Sequence, residues 1–198
     1  MTPRIETLRS FIRAEKHHQF RRTPEELGLA NLNEKFQSAN TPAVERSAQM
    51  LKALLDAEHP IIIEGERIVA TRTITRIPSI FTDAEWDAIR SKHTLHERGT
   101  VSNLSPDYEG IIADGLGRRK EQIVARLEDA TLTEEQRLFL VAARESIEAV
   151  QAFILKYKAC AEGAGLTDVA EVLGAIHSEG AKTLHEALQL LRIVPKHN

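Results

Sequence analysis

The pattern that most constrains this chain begins at Thr133-Glu134-Glu135-Gln136 and keeps apolar side chains at helical spacing to about Ala161, where Gly163 and Gly165 end it. So long a 3.6-residue periodicity is that of an amphipathic helix. It commits the chain to a helical architecture, and the rest of the sequence agrees. Aromatic residues make up only 5% of the chain, while Ala, Leu, Glu and Arg are plentiful, a balance that favours helices over sheets. Hydrophobic content of 42% is enough for a core.

Further helices are predicted on both sides. Ile5, Leu8, Phe11 and Ile12 mark a first helix over residues 4–20, with Thr2 as cap and Pro3 at its first position. Residues 21–41 read as loop with one short helical turn. Thr41 and Pro42 open a second helix to residue 58, with Val44, Ala48, Leu51, Leu54 and Leu55 on one face. Thr82-Asp83-Ala84-Glu85 has the form of a capping box and starts a helix towards His93. Ser105 and Pro106 open a long helix to about Ala130 that contains Gly110, Gly115 and Gly117. Glycines inside a helix cost up to about 1 kcal/mol each relative to Ala, and they mark close packing or a bend. Thr167 caps a helix to about Ser178, and Thr183 starts the last one, through Val194.

One β signal interrupts the helices. Ile61-Ile62-Ile63 and the run from Ile68 to Ile74 flank Gly65, which predicts a small hairpin or a pair of short strands lying against helices. The expected fold class is therefore mainly α: a multi-helix, bundle-like array with one small β element. The last helix, nearly solid with Leu, Ile and Val, must pack inside something. That is either a larger fold or the centre of its own bundle.

Composition excludes several classes. With 26 Lys+Arg against 29 Asp+Glu, a net charge of -3 and a pI near 6.3, the chain lacks the basic excess of a nucleic-acid binder. A single Cys rules out an intrachain disulfide and a thiolate zinc site within one chain. No run approaches the roughly 18–20 apolar residues of a membrane span, and Met1-Thr2-Pro3-Arg4-Ile5-Glu6 lacks the apolar core of a signal peptide. The expectation is a soluble, cytoplasmic protein with no cofactor.

Chemistry-bearing residues are sparse. His93 and His96, with Glu97 beside them, have a spacing that can share a metal on one helical face, but no third ligand is evident, so no metal site is assigned. His17 and His18 read as solvated, and His185 as a packing or hydrogen-bonding residue. Cys160 sits among apolar residues as a small buried hydrophobe. Gly115-Leu116-Gly117-Arg118-Arg119-Lys120 has neither the P-loop nor the dinucleotide spacing and follows no strand. Its glycines read as a place where a neighbour approaches, and its cations as a solvated face. No nucleophilic triad or carboxylate pair is legible, so no catalytic residue is assigned.

The order of segments carries more than any single residue. Val44-Glu45-Arg46-Ser47-Ala48-Gln49-Met50-Leu51-Lys52-Ala53-Leu54-Leu55, then Pro60-Ile61-Ile62-Ile63, then Gly65-Glu66-Arg67-Ile68-Val69 resembles the N-terminal region of glycyl radical enzymes, the family of pyruvate formate-lyases and diol dehydratases. Ala70 stands where that family usually has Gly. Asp107-Tyr108-Glu109 followed by Gly115-Leu116 looks like the family's Asp-Tyr helix, and Thr183-Leu184-His185-Glu186-Ala187-Leu188-Gln189 is similar to its Thr-Phe-His-Glu-Ala-Leu-Gln helix. The match covers roughly residues 43–193.

The resemblance implies the N-terminal part of a ten-stranded α/β barrel enzyme in which a backbone glycyl radical passes to a loop Cys. This sequence has no Arg-Val-x-Gly-Tyr motif and no such Cys loop. The implied organisation is an N-terminal helix and loop over residues 1–42, then a partial pyruvate formate-lyase-like domain over 43–198, incomplete at its C-terminus. The implied role is a fragment or split piece, not competent alone, whose partner is the remaining polypeptide or a second copy bound through the 184–194 helix. The alternative is an autonomous helical interaction module. Four positions before the Asp-Tyr pair the family places a substrate-facing residue, Arg in pyruvate formate-lyases and His in diol dehydratases. Here that position is Asn103, with Ser102 beside it, so the resemblance implies substrate contacts from these two in a full-length context. Asn hydrogen-bonds but brings no charge to pair with a carboxylate.

Overall fold

The computed structural model describes residues 1–92 and 107–194. Its described residues contain eight α-helices: α1 (Pro3–Arg13), α2 (Leu32–Ser38), α3 (Ala43–Ala57), α4 (Asp83–Ser91), α5 (Tyr108–Leu127), α6 (Glu134–Gly163), α7 (Thr167–Ile176) and α8 (Leu184–Ile193). At 1.5 Å per residue the 30 residues of α6 span about 45 Å. This helix is the axis of the fold: α3, α5 and α7 all pack on it, and α8 closes against α7 and α5. Its buried apolar positions Ala142, Ala149, Phe153, Ile154, Tyr157 and Ala161 fall on one face, separated mostly by one or two helical turns, as an amphipathic helix requires. All of these but Ala142 join Leu55, Val69, Leu173, Ile176, Leu190 and Ile193 in the main core. A smaller cluster of Leu29, Phe36, Met50, Leu54 and Ile74 seats the N-terminal segment on the other side of α3.

Side-chain caps set four of the eight helix starts. Thr82, Thr133 and Thr183 each accept a bond from the third residue of their helix, while Glu85, Gln136 and Glu186 reach back to the cap nitrogen. Several predicted boundaries move, three of them with a clear cause. The first helix stops at Arg13, because Glu15 takes φ 53° and a 3-10 turn, Lys16–Phe20, follows. The second begins at Ala43 with Pro42 in the capping position. α5 begins at Tyr108, capped by Asp107, whose carboxylate accepts from the Gly110 N–H at 3.0 Å. Ser105 and Pro106 lie outside the described residues.

The predicted hairpin is not formed. Among the described residues the only β pairing is one parallel bridge between Arg22 and Ile74. Residues 61–74 form an irregular strap against α3, α6 and α8, broken by a turn at Glu64-Gly65, and side chains take the place of a partner strand. Fully buried Gln189 accepts from the Val69 N–H at 2.8 Å and donates to the Val69 carbonyl at 3.1 Å. Glu58 accepts from both the N–H and the hydroxyl of Thr73, and Glu66 accepts from the Ile63 N–H at 2.9 Å. Buried backbone polar groups need partners, and these side chains supply them.

Candidate functional site

The strap is where two sequence motifs meet. His185 and Gln189 lie one turn apart on α8, so they share a face. His185 Nε2 is 2.7 Å from the Arg67 carbonyl, and since a carbonyl only accepts, this nitrogen carries the proton. Gln189 holds both polar groups of Val69 two residues further on. The Thr183–Gln189 motif is thus a docking device: Thr183 and Glu186 start the helix, while His185 and Gln189 hold Gly65-Glu66-Arg67-Ile68-Val69. From α6, Tyr157 donates to the Thr71 carbonyl at 3.1 Å. Burial pushes its phenol well above the usual range, opposed by a hydrogen bond from the Ile61 backbone. Cys160 Sγ lies 3.7 Å from the Pro60 carbonyl, a weak donor contact that fits a structural thiol. Lys156 bonds the carbonyls of Leu55 and Asp56 at 3.0 and 2.6 Å and so finishes α3.

Ala70, next to the clamp, takes φ 88° while almost fully buried. That left-handed backbone suits glycine and strains an L side chain. Between the strap, α3 and α6 lies a cavity of about 20 Å³ lined by Leu54, Leu55, Glu58, Ala70 and Phe153. It has room for about one water, not for a substrate.

A second close approach involves the glycine-rich stretch. Gly115 adopts φ 74° and kinks α5. There the backbone meets the loop after α7: Gly117 donates to the Ser178 carbonyl at 2.7 Å, and Ala181 to the Ile112 carbonyl at 2.8 Å. A Cβ on Gly115 would stand 2.6 Å from the Gly180 nitrogen. The glycines serve packing, as read from sequence. Arg118 and Arg119 are spent on Glu121 and Asp107. Arg46, buried on α3, bonds the Thr41 carbonyl at 2.6 Å and both oxygens of Glu85 at 2.8 and 2.9 Å, tying α4 to the core. The Thr82 backbone N–H and then Arg46 hold the Glu85 carboxyl below its ordinary value of 4.5.

Ser102 and Asn103, and likewise His93, His96 and Glu97, lie outside the described residues. Among the described residues no group of three His, Cys, Asp or Glu side chains can hold a metal ion. No described helix is long and apolar enough to cross a membrane. α8 divides its apolar residues: Leu190 and Ile193 are fully buried in the core, whereas Leu184 is 76% and Leu188 41% exposed.

A family model described as pyruvate formate lyase-like matches residues 78–195. This chain belongs to the pyruvate formate lyase-like family. The matched span of this pyruvate formate lyase-like chain runs from just before α4 to the end of α8, and so includes the Asp107–Leu116 and Thr183–Gln189 motifs. A solved structure, the glycerol-bound form of the B12-independent glycerol dehydratase from Clostridium butyricum, superposes with a TM-score of 0.75 at 17% identity. At that identity the likeness is one of fold. It covers 100% of this chain, so it includes residues 1–77, which the family model does not match. It covers 34% of the dehydratase chain, and the present chain therefore spans about a third of its relative. No curated protein sequence matches significantly.

Sequence reasoning missed Gln189, Glu58 and Arg46 as organising residues. The available signal was a polar side chain inside an apolar run, as in Leu188-Gln189-Leu190-Leu191.

Proposed function

We propose that residues 1–198 form the N-terminal helical wall of a glycyl radical enzyme of the pyruvate formate-lyase or diol dehydratase type and are not catalytically competent alone. Residues 1–42 are an N-terminal helix and loop, and residues 43–198 are part of the family's domain. The remaining polypeptide, supplied in cis or in trans, brings the Cys loop and the radical Gly. The observation that carries this reading is the fold match, which uses the whole of this chain and only 34% of its neighbour. Two further features support it. The sequence carries the family's N-terminal motifs without its Cys loop or radical motif. In addition, α8 leaves Leu184 and Leu188 exposed one turn apart, an apolar strip fitted to a partner surface. In the complete enzyme the family resemblance gives Asn103 and Ser102 a substrate-binding role as uncharged hydrogen-bonding groups, which matches neither the Arg of pyruvate formate-lyases nor the His of diol dehydratases. The enzyme works anaerobically in the cytoplasm.

The test is association. A polypeptide carrying the Cys loop and the Arg-Val-x-Gly-Tyr motif, taken from the same source and purified without oxygen, should bind this chain stably. Leu184→Asp combined with Leu188→Asp should weaken that binding by an order of magnitude or more. Failure of the unaltered chain to associate overturns the proposal. Self-association through Leu184 and Leu188, with no affinity for such a polypeptide, would instead mark an autonomous interaction module.

A further inference from the structure

The first 22 residues differ in charge from the rest of the chain. They hold Arg4, Arg9, Arg13, Lys16, Arg21 and Arg22 against Glu6 and Glu15, a net +4, whereas the whole chain carries -3. The one described ion pair in this segment joins His18 to Glu15. Arg9, Arg13, Lys16 and Arg21 are exposed, and none of them pairs with a carboxylate among the described residues. α1 buries no residue, although its sequence is amphipathic. It rests on the strap by one edge: Arg4 donates to the Gly65 carbonyl at 2.8 Å, and Leu8 lies against the same turn. On its outer side Ile5, Arg9, Ile12 and Arg13 follow one another at steps of four and three residues and so form one strip. Ile5 is 38% and Ile12 55% exposed. A helix of 11 residues is marginal in water without a packed face, so its apolar strip is fitted to a further surface. The segment lies outside residues 78–195, which the family model matches.

We infer that this strip is a membrane-surface site: α1 lies along an anionic lipid bilayer, with Arg9, Arg13, Lys16 and Arg21 at the level of the lipid phosphates and Ile5 and Ile12 in the acyl boundary. A basic helix with an apolar strip is the pattern of interfacial helices. Charge selects the occupant, because the cytoplasmic leaflet is anionic and each nearby Lys or Arg adds to the attraction. The cations extend from α1 through the 3-10 turn to the segment after it, so they match a continuous sheet of negative charge better than a single carboxylate. Nucleic acid also supplies phosphates, but it offers no apolar phase to the two isoleucines beside the arginines. Two isoleucines insert little area and the cations are screened by salt, so binding is reversible and needs both. The helix lies on the bilayer and does not cross it. The site shares no residue with the α8 strip of the proposed function, and each can fail without the other.

Co-sedimentation of the full 198-residue chain with lipid vesicles tests the inference. Vesicles of equal parts phosphatidylglycerol and phosphatidylcholine, at about 0.1 M salt, should bind the chain about tenfold or more tighter than phosphatidylcholine alone, and about 0.5 M salt should release most of it. Arg9→Glu combined with Arg13→Glu should weaken binding about a hundredfold or more, whereas Arg9→Lys with Arg13→Lys should keep it within about threefold. Ile5→Ser with Ile12→Ser should weaken it about tenfold, since insertion is lost while the charge remains. All four positions are exposed, so these variants should keep the melting curve of the original chain. Equal binding to neutral and anionic vesicles, or binding indifferent to the charge reversal, would overturn the inference. So would an unchanged affinity after the serine substitutions; together with equally tight binding to duplex DNA, that result would mark a general polyanion site instead.

Discussion

Replacing Gln189 with Leu probes the contact that stands in for the missing strand. The side chain is fully buried, and both of its amide groups are used by Val69. Leu keeps the approximate size but leaves the Val69 N–H and carbonyl unpaired in a dry core. Each unsatisfied group costs about 1–3 kcal/mol. The apolar replacement recovers about 1–2 kcal/mol of burial. The net expected loss is about 3 kcal/mol, a large share of the 5–15 kcal/mol typical of a domain. Urea unfolding followed by circular dichroism measures it, and hydrogen exchange at Val69 localises it. Gln37→Leu, at an exposed glutamine, should stay within about 0.5 kcal/mol. Gln189→Glu gives an internal check of sign. Burial raises the pKa of the new carboxyl, so the folded state binds a proton more tightly than the unfolded chain, and stability should rise as pH falls. Once protonated, that carboxyl can again donate to the Val69 carbonyl. A Gln189→Leu cost below about 0.5 kcal/mol, or unchanged exchange at Val69, would refute the clamp.

Other perturbations follow from the same contacts. Because Glu85 is held below 4.5 in the folded state, the unfolded chain takes up protons first on acidification; its contribution is present above that value and lost as pH falls through the folded pKa. Glu85→Gln should flatten the acid limb of a stability–pH curve. At Ala70, glycine relieves about 1–2 kcal/mol of left-handed strain but gives up a buried methyl worth about 0.8 kcal/mol and adds chain entropy. Thermal melts should therefore place Ala70→Gly within about 1 kcal/mol of the original, and Ala70→Val, whose branched Cβ tolerates positive φ least, clearly below both. Gly180→Ala puts a methyl against the Ala113 and Ile112 carbonyls and should cost about 1–3 kcal/mol by the same assay.

What could be read from sequence was local chemistry. Thr82, Thr133 and Thr183 announce helix starts because each carries its own answering side chain three residues later. The length of α6 is equally plain, since its periodicity is continuous. The strap was misread for a physical reason. A run of β-branched residues favours extended backbone whatever satisfies its hydrogen bonds, and here the partner is a glutamine 120 residues away. The break at Glu15 was hidden because the apolar spacing of residues 5–12 carries no stop signal. The glycines of α5 showed that something approaches, but not that it is the 178–181 loop. Of the candidate site, the order of motifs was legible, and the structure adds that two of them touch. The roles given to Asn103 and Ser102 rest on the resemblance, at positions outside the described residues.

The measurement that bears most directly on the proposed function is the intact mass of the species carrying residues 1–198 in its own source cells, prepared without oxygen and detected with an antibody to this chain. The account predicts a polypeptide several times larger than 22.1 kDa, or a 22.1 kDa chain in tight complex with one whose peptides include the Arg-Val-x-Gly-Tyr motif. A free 22.1 kDa species with no such companion would contradict it.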